Sequence, residues 1–200
     1  MPRQAVLHLV RHGQSTWNAA GRVQGQSPDA GSLTARGRRE AADVAEQLAE
    51  LRSGADAVVS SDLARAAETA AIIAARLDLP VELDAGLREQ RLGRLEGCGL
   101  AGTGIAEIVA ALWRDPYCRP PGGESVAEMY WRVCAALDRI AAARPGRKVI
   151  VVTHGGPIRV AATAVSQRGV AAIRHTAVAN ASITTVTIRL PRTLCAAGAA

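Results

Sequence analysis

The chain has 200 residues, 48% hydrophobic and 21% charged, which suits one domain with a sizeable core and excludes wholesale disorder. The net charge of +6 admits an anionic partner, but the basic residues are scattered and aromatics make up only 2%. That argues against nucleic acid, which needs a basic stripe or a stacking platform. No apolar stretch is long and charge-free enough to span a membrane, so no membrane partner is expected.

Met1-Pro2-Arg3-Gln4 leads straight into a strand-like run without a signal peptide's apolar core, so the protein reads as cytoplasmic. Val6-Leu7-His8-Leu9-Val10 has the β-branched content of a strand buried on both faces, and it runs into Arg11-His12-Gly13. A polar loop spans 14–32. Leu33-Thr34 then opens a helix with Ala41, Val44, Ala45, Leu48 and Leu51 on its core face. Ala57-Val58-Val59 reads as a short strand, and Ser60-Ser61-Asp62 supplies N-cap chemistry. Leu63, Ala66, Ala70, Ile73 and Leu77 form the stripe of the next helix, and Val81-Glu82-Leu83 is another short strand.

Segment 89–121 is glycine-rich and irregular, with a short helix across 105–113, and is expected to be a small cap or substrate-discriminating insertion. Glu124-Ser125 starts a long helix with the stripe Val126, Met129, Val133, Leu137 and Ile140, and Pro145-Gly146 stops it. Strand Val149–Val152 runs into Thr153-His154-Gly155, and a helix follows to about Val165. Ser182–Ile188 alternates as an edge strand would, and 191–200 reads as a flexible tail after one domain spanning 1–190. Cys98, Cys118, Cys134 and Cys195 are widely spaced and show no zinc pattern.

The βαβα alternation predicts an α/β fold: a three-layer α/β/α sandwich with a mostly parallel central sheet. Ligands of such sheets sit outside the carboxyl ends of the strands. One edge would then gather Arg11, His12, Arg65, the Arg88-Glu89 pair and His154. Guanidinium groups fork onto phosphate oxygens. A neutral imidazole is a competent nucleophile near pH 7. A carboxylic acid can protonate a departing alkoxide, and Glu89 suits this if burial and an anionic ligand raise its pKa. No aspartate cluster points to Mg²⁺, so arginines would do the work of a metal, and neither metal nor cofactor is expected.

Leu9-Val10-Arg11-His12-Gly13-Gln14-Ser15-Thr16-Trp17-Asn18 closely resembles the signature of the histidine phosphatase superfamily, in its phosphoglycerate mutase-like branch. Leu33-Thr34-Ala35-Arg36-Gly37, the run from Ser60 to Ala70, Leu87-Arg88-Glu89, Gly122-Gly123-Glu124-Ser125, Val152-Thr153-His154-Gly155 and Asn180-Ala181-Ser182-Ile183-Thr184 match in the same order. The resemblance implies that His12 is the nucleophile and becomes phosphohistidine. It implies that Arg11, Arg65 and His154 grip the phosphoryl group, with Glu89 as proton donor and then base. It places Asn18 and Ser15 near phosphate, Gln24-Gly25 in the substrate loop, and the Gly155 backbone N–H at the phosphoryl group.

The leading expectation is therefore a metal-independent phosphomonoesterase acting on a small phosphorylated metabolite. A bisphosphoglycerate-dependent phosphoglycerate mutase is the alternative. Hydrolysis is favoured because Glu89-Gln90-Arg91-Leu92-Gly93 lacks the His-Tyr pair of the mutase-like segment and the chain is short. A binding module without turnover is a third reading, opposed by the intact Arg11, His12, Arg65, Glu89 and His154 set. His8 reads as core or supporting packing, and His175 as a surface residue. Trp113 and Tyr117 are candidates for the pocket wall. The alternating strand after Asn180 invites a homodimer.

Overall fold

The computed structural model describes residues 4–50, 54–190 and 194. Five strands make one sheet: β1 (Gln4–Arg11), β2 (Ala57–Ser60), β3 (Val81–Leu83), β4 (Lys148–Thr153) and β5 (Ile183–Arg189), in the order β3-β2-β4-β1-β5. β1 to β4 are parallel, and β5 runs antiparallel to β1 at the edge. The helices are α1 (Thr16–Ala19), α2 (Ala35–Glu50), α3 (Ala64–Leu77), α4 (Ile105–Arg114), α5 (Val126–Ala143) and α6 (Gly155–Val165). None of those described is long and apolar enough to cross a membrane.

Successive strand residues face opposite sides of a sheet. Ala5, Leu7, Leu9, Val149 and Val151 therefore pack with residues of α5 and α6, while Val10, Val58, Ile150 and Val152 pack with residues of α2 and α3. The result is the three-layer sandwich predicted from the alternation. Burial of each large side chain such as Leu7, Leu9, Leu137 or Ile150 contributes about 1.5–3 kcal/mol relative to exposure. α5 starts where the serine signal placed it. Ser125 accepts from the Glu128 N–H, and the Glu128 side chain reaches back to the Ser125 N–H.

Two features differ from expectation. β4 is buried on both faces except at Lys148, but β1 is only half-buried at Val6 and His8. The α2–α3 layer covers Val10 and stops short of His8, whose Nδ1 lies 3.0 Å from Thr185 Oγ1 on β5. Second, α3 is capped by Leu63 without a side-chain bond. The Ser61 hydroxyl only brushes the Leu63 N–H (3.3 Å) and is used instead at His154. Leu51 of the predicted α2 stripe and all of the 191–200 tail except Leu194 lie outside the described residues.

Strand register decides what meets at the carboxyl edge. Arg11 pairs with Thr153 and Ser60 with Val152. The His12 N–H donates to the Thr153 carbonyl (3.0 Å) and the Ser61 N–H to the Val152 carbonyl (2.9 Å). Ser61, His154 and His12 thus emerge side by side. The loop after β1 also runs hard against the first turn of α2: a Cβ on Gly37 would lie 2.0 Å from the Gln14 carbonyl oxygen.

Segment 89–121 covers this edge by pairing with the 14–32 loop. The Val23 N–H donates to the Cys98 carbonyl (2.9 Å), and the Gly97 N–H donates to the Val23 carbonyl (2.8 Å). Val23, Leu92 and Leu112 form a small separate core, with Leu95, Ile105 and Val109 packed on it.

Candidate active site

His12 is 2% exposed and anchored on every side. Its backbone carbonyl accepts from Asn180 Nδ2 (2.9 Å), and its Nδ1 lies 2.7 Å from the Gly13 carbonyl oxygen. A carbonyl only accepts, so the proton of the neutral ring is on Nδ1 and the lone pair on Nε2. Arg65 Nε donates to that Nε2 at 3.2 Å. Burial, then the charges of Arg65 and Arg11, hold the imidazole well below its usual pKa, against the opposing Gly13 bond. His12 is therefore neutral, with its nucleophilic nitrogen aimed at the arginines.

His154 is fully buried at the α6 N-cap, its ring edge-on to His12 with centroids 5.1 Å apart. Its Nε2 lies 2.9 Å from Ser61 Oγ, and its Nδ1 is buried without a hydrogen-bond partner. Burial first, and the Arg65 charge next, also push this ring well below the usual range. Arg65 is 2% exposed and donates through Nη2 to the Gly25 carbonyl (2.9 Å). Burial lowers its pKa to about 10, partly offset by Glu89, so it stays cationic at neutral pH. Arg11 Nη1 donates to the Val178 carbonyl, while its buried Nε has no partner. Buried polar groups are almost always paired. Two orphans beside one imidazole mark a place for an acceptor-rich ligand.

Glu89 faces this group from the segment after β3. Its Oε1 accepts from the Gln90 N–H (2.9 Å) and its Oε2 from the Gly156 N–H (3.2 Å), a donor at the α6 N-terminus. A Cβ on Gly156 would lie 2.1 Å from Glu89 Oε1, so only glycine lets the carboxylate come this close. Arg132 holds the segment from behind, donating through Nη1 to the Gly86 and Arg88 carbonyls, both at 2.9 Å. Arg88 itself turns away to an ion pair with Asp62.

A cavity of about 320 Å³ opens over His12. Arg11, His12, Gln24, Gly25, Arg65 and Glu89 line it, as does Trp113. His154 stands behind His12. Ser15, Asn18 and Gly155 are set back from the cavity wall. Ser15 caps α1 in a reciprocal box with Asn18, and its hydroxyl lies 2.8 Å from Gln24 Oε1. Asn18 Oδ1 is 3.3 Å from Asn180 Nδ2. Tyr117, the other candidate for the wall, is 67% exposed and away from the cavity.

Of the lining residues that sequence reasoning missed, Arg159 and His175 carry ionisable side chains. Arg159 lies 5.0 Å over the Trp113 ring, and His175 stacks on the same ring at 5.2 Å. His175 is exposed, as read, yet it forms part of the cavity mouth. The one signal for Arg159 was its place in the first turns after His154. Three guanidinium groups now face one carboxylate, a formal excess of two positive charges, which matches a phosphomonoester dianion. Among the described residues, no three His, Cys, Asp or Glu side chains are grouped to hold a metal ion.

The chain resembles several known proteins over most of its length. Phosphoglycerate mutase-like protein 4 of Arabidopsis thaliana is 40% identical over 162 residues, 78% of this chain and 68% of that protein. Metal-independent phosphoserine phosphatase of Arabidopsis thaliana is 39% identical over 156 residues, 76% of this chain and 64% of that protein. The solved structure of mycobacterial glucosyl-3-phosphoglycerate phosphatase in complex with VO3 superposes with a TM-score of 0.80 at 33% identity, covering 92% of both chains. Residues 7–196 match the histidine phosphatase superfamily (branch 1), and with His12, Arg11, Arg65, His154 and Glu89 gathered at one sheet edge, the chain belongs to that superfamily.

Proposed function

We propose that this chain is a metal-independent phosphomonoesterase that hydrolyses a small phosphorylated metabolite through a phosphohistidine on His12. The observation that carries the reading is the His12 tautomer, with the Nε2 lone pair facing Arg65 Nε at 3.2 Å in a site where Arg11 Nε is buried without a hydrogen-bond partner. Phosphoryl transfer needs positioning and charge neutralisation more than covalent machinery. Arg11 Nε, Arg65 and the His154 ring offer donors to the non-bridging oxygens. A phosphate oxygen is a stronger acceptor than an imidazole and draws the Arg65 N–H away, which frees the lone pair. The Nε2–P bond forms as the ester P–O bond breaks, and the departing alkoxide takes a proton from Glu89, which binds it from solvent as the phosphoryl dianion enters and leaves the step as a carboxylate. Water then attacks phosphorus, its proton returns to Glu89, the N–P bond breaks, and inorganic phosphate leaves.

In this reading Ser15 holds Asn18 and Gln24 at the substrate loop, Gly25 orients Arg65, and Gly155 turns its N–H toward the phosphoryl group. One domain spans 1–190, and its 89–121 cap selects the substrate. A cytoplasmic homodimer through the β5 edge belongs to the same proposal, and a monomer by light scattering at micromolar concentration refutes that part. Transfer to a second hydroxyl, the mutase reading, is supported by the 40% identity to phosphoglycerate mutase-like protein 4.

The deciding experiment is p-nitrophenyl phosphate hydrolysis in EDTA, comparing wild type with His12→Ala. Activity that persists in EDTA and disappears in the variant is expected. Activity lost in EDTA, or kept in the variant, refutes the mechanism. Phosphoglycerate isomerisation primed by a bisphosphoglycerate, without net phosphate release, would replace hydrolase by mutase.

A further inference from the structure

Away from the phosphoryl end, the cavity is apolar. Val23, Leu92, Leu100, Ala106, Val109 and Trp113 build its far wall. Ala106, Val109 and Trp113 recur at intervals of three and four along α4, so one helix face looks inward. Ala106 is exposed and Leu100 is 38% exposed, leaving apolar surface for a ligand to cover.

Three polar side chains around this wall each have one atom engaged elsewhere. Gln90 Nε2 donates to the Glu124 carbonyl (2.9 Å), and Gln24 Oε1 lies 2.8 Å from the Ser15 hydroxyl. Arg159 Nε donates to the Thr176 carbonyl (2.6 Å). Its Nη1 sits 3.2 Å from where a Gly155 Cβ would be while its Cζ lies 5.0 Å over Trp113, so the guanidinium stands between the start of α6 and the Trp113 end of the wall. A carboxylate or a row of hydroxyls laid against Val23, Leu92, Leu100, Ala106 and Val109 would lose water and meet no polar side chain of these residues, whereas an alkyl or aryl group would be buried.

We propose that the substrate of this site is the phosphomonoester of a compact apolar alcohol, with α4 as the selecting surface. The inference rests on the phosphatase reading for its chemistry. It sets this chain apart from relatives named for phosphoserine and glucosyl-3-phosphoglycerate. A cavity of about 320 Å³ is at the small end of ligand pockets, which run roughly 300–1,000 Å³. The alcohol is therefore a short branched, linear or single-ring group.

The test is a homologous series from methyl to hexyl phosphate, with benzyl phosphate, O-phosphoserine and 3-phosphoglycerate alongside. Leaving-group basicity hardly changes beyond ethyl, so kcat/KM reads the wall. It should rise by up to about fourfold per methylene until the cavity is full. Hexyl and benzyl phosphate should exceed both acids, and Val109→Asn should flatten the series. A flat series in wild type, or either acid outrunning hexyl phosphate, overturns the inference and leaves the phosphatase standing. Calorimetry on His12→Ala separates the two proposals, since it needs no turnover. Tighter binding of hexyl phosphate than of 3-phosphoglycerate, with a negative heat-capacity change, supports the apolar site. Equal or weaker binding overturns it. Absence of phosphohistidine with every ester overturns the phosphatase reading instead.

Discussion

Replacing Glu89 by Gln tests the proton donor with little change of shape. The carboxylate now accepts two backbone N–H bonds, at 2.9 Å from Gln90 and 3.2 Å from Gly156. An amide can face only one of them with oxygen, so one N–H meets an NH₂ group. Loss of one bond to a charged acceptor costs roughly 1.5–3 kcal/mol, which lowers Tm by roughly 3–12 °C in a chain of this size. The catalytic effect is separable because it depends on the leaving group. General acid catalysis contributes typically 10²–10⁴-fold where the departing oxygen needs a proton. An alkyl phosphate should therefore lose roughly that factor in kcat/KM. p-Nitrophenyl phosphate, whose leaving group needs little protonation, should lose about tenfold or less. The ratio kcat/KM is the right readout, since it reports transfer to His12 and excludes later hydrolysis of the intermediate. Equal losses for both substrates would refute the assignment of Glu89 as acid.

Arg65→Lys removes the planar fork between His12 Nε2 and the Gly25 carbonyl while keeping a cation. We expect kcat/KM to fall about 10²–10³-fold, and a loss within threefold would contradict its role in charge stabilisation. His12 and His154 both have pKa values depressed by folding. Below their ordinary value of 6.5 the unfolded chain gains protons that the folded chain refuses, so stability should fall as pH drops through 6.5 and keep falling toward the depressed values. Thermal melts from pH 7.5 to 5 check this, and a flat Tm across that window would show that the rings are not buried neutral. Gly37→Ala gains about 1 kcal/mol of helix propensity but drives a Cβ to 2.0 Å from the Gln14 carbonyl oxygen. The overlap, worth roughly 1–3 kcal/mol or more because it is backbone on backbone, should win and lower the denaturation midpoint. An unchanged or raised midpoint would refute the close approach.

Much of the sandwich was legible because local patterning carries it. The apolar runs before Arg11-His12 and Thr153-His154 mark parallel strands, and the spacing of Val126, Met129, Val133, Leu137 and Ile140 marks α5. Strand ends are fixed points of such sheets, so residues at those ends converge whatever their separation in the chain. Less was legible where one residue had two possible uses. Ser61 has the chemistry of a helix cap, yet it stands beside His154 because Ser60 pairs with Val152 on the neighbouring strand. His8 sits in an apolar run, but only packing of the helical layers shows that its face of β1 is left half-covered.

By itself the sequence determined the order of elements and the sheet edge at which Arg11, His12, Arg65, Glu89 and His154 meet. Each follows from a short-range rule: alternation, helical spacing, or a functional group at a strand end. Only the tertiary structure decided the His12 tautomer, the pairing of Glu89 with the α6 N-terminus, and the entry of Arg159 and His175 beside Trp113. Apart from the His12–Gly13 bond, those contacts join segments tens of residues apart. They are set by strand register and by how closely glycine backbones allow neighbouring elements to approach, which no local pattern of residues specifies.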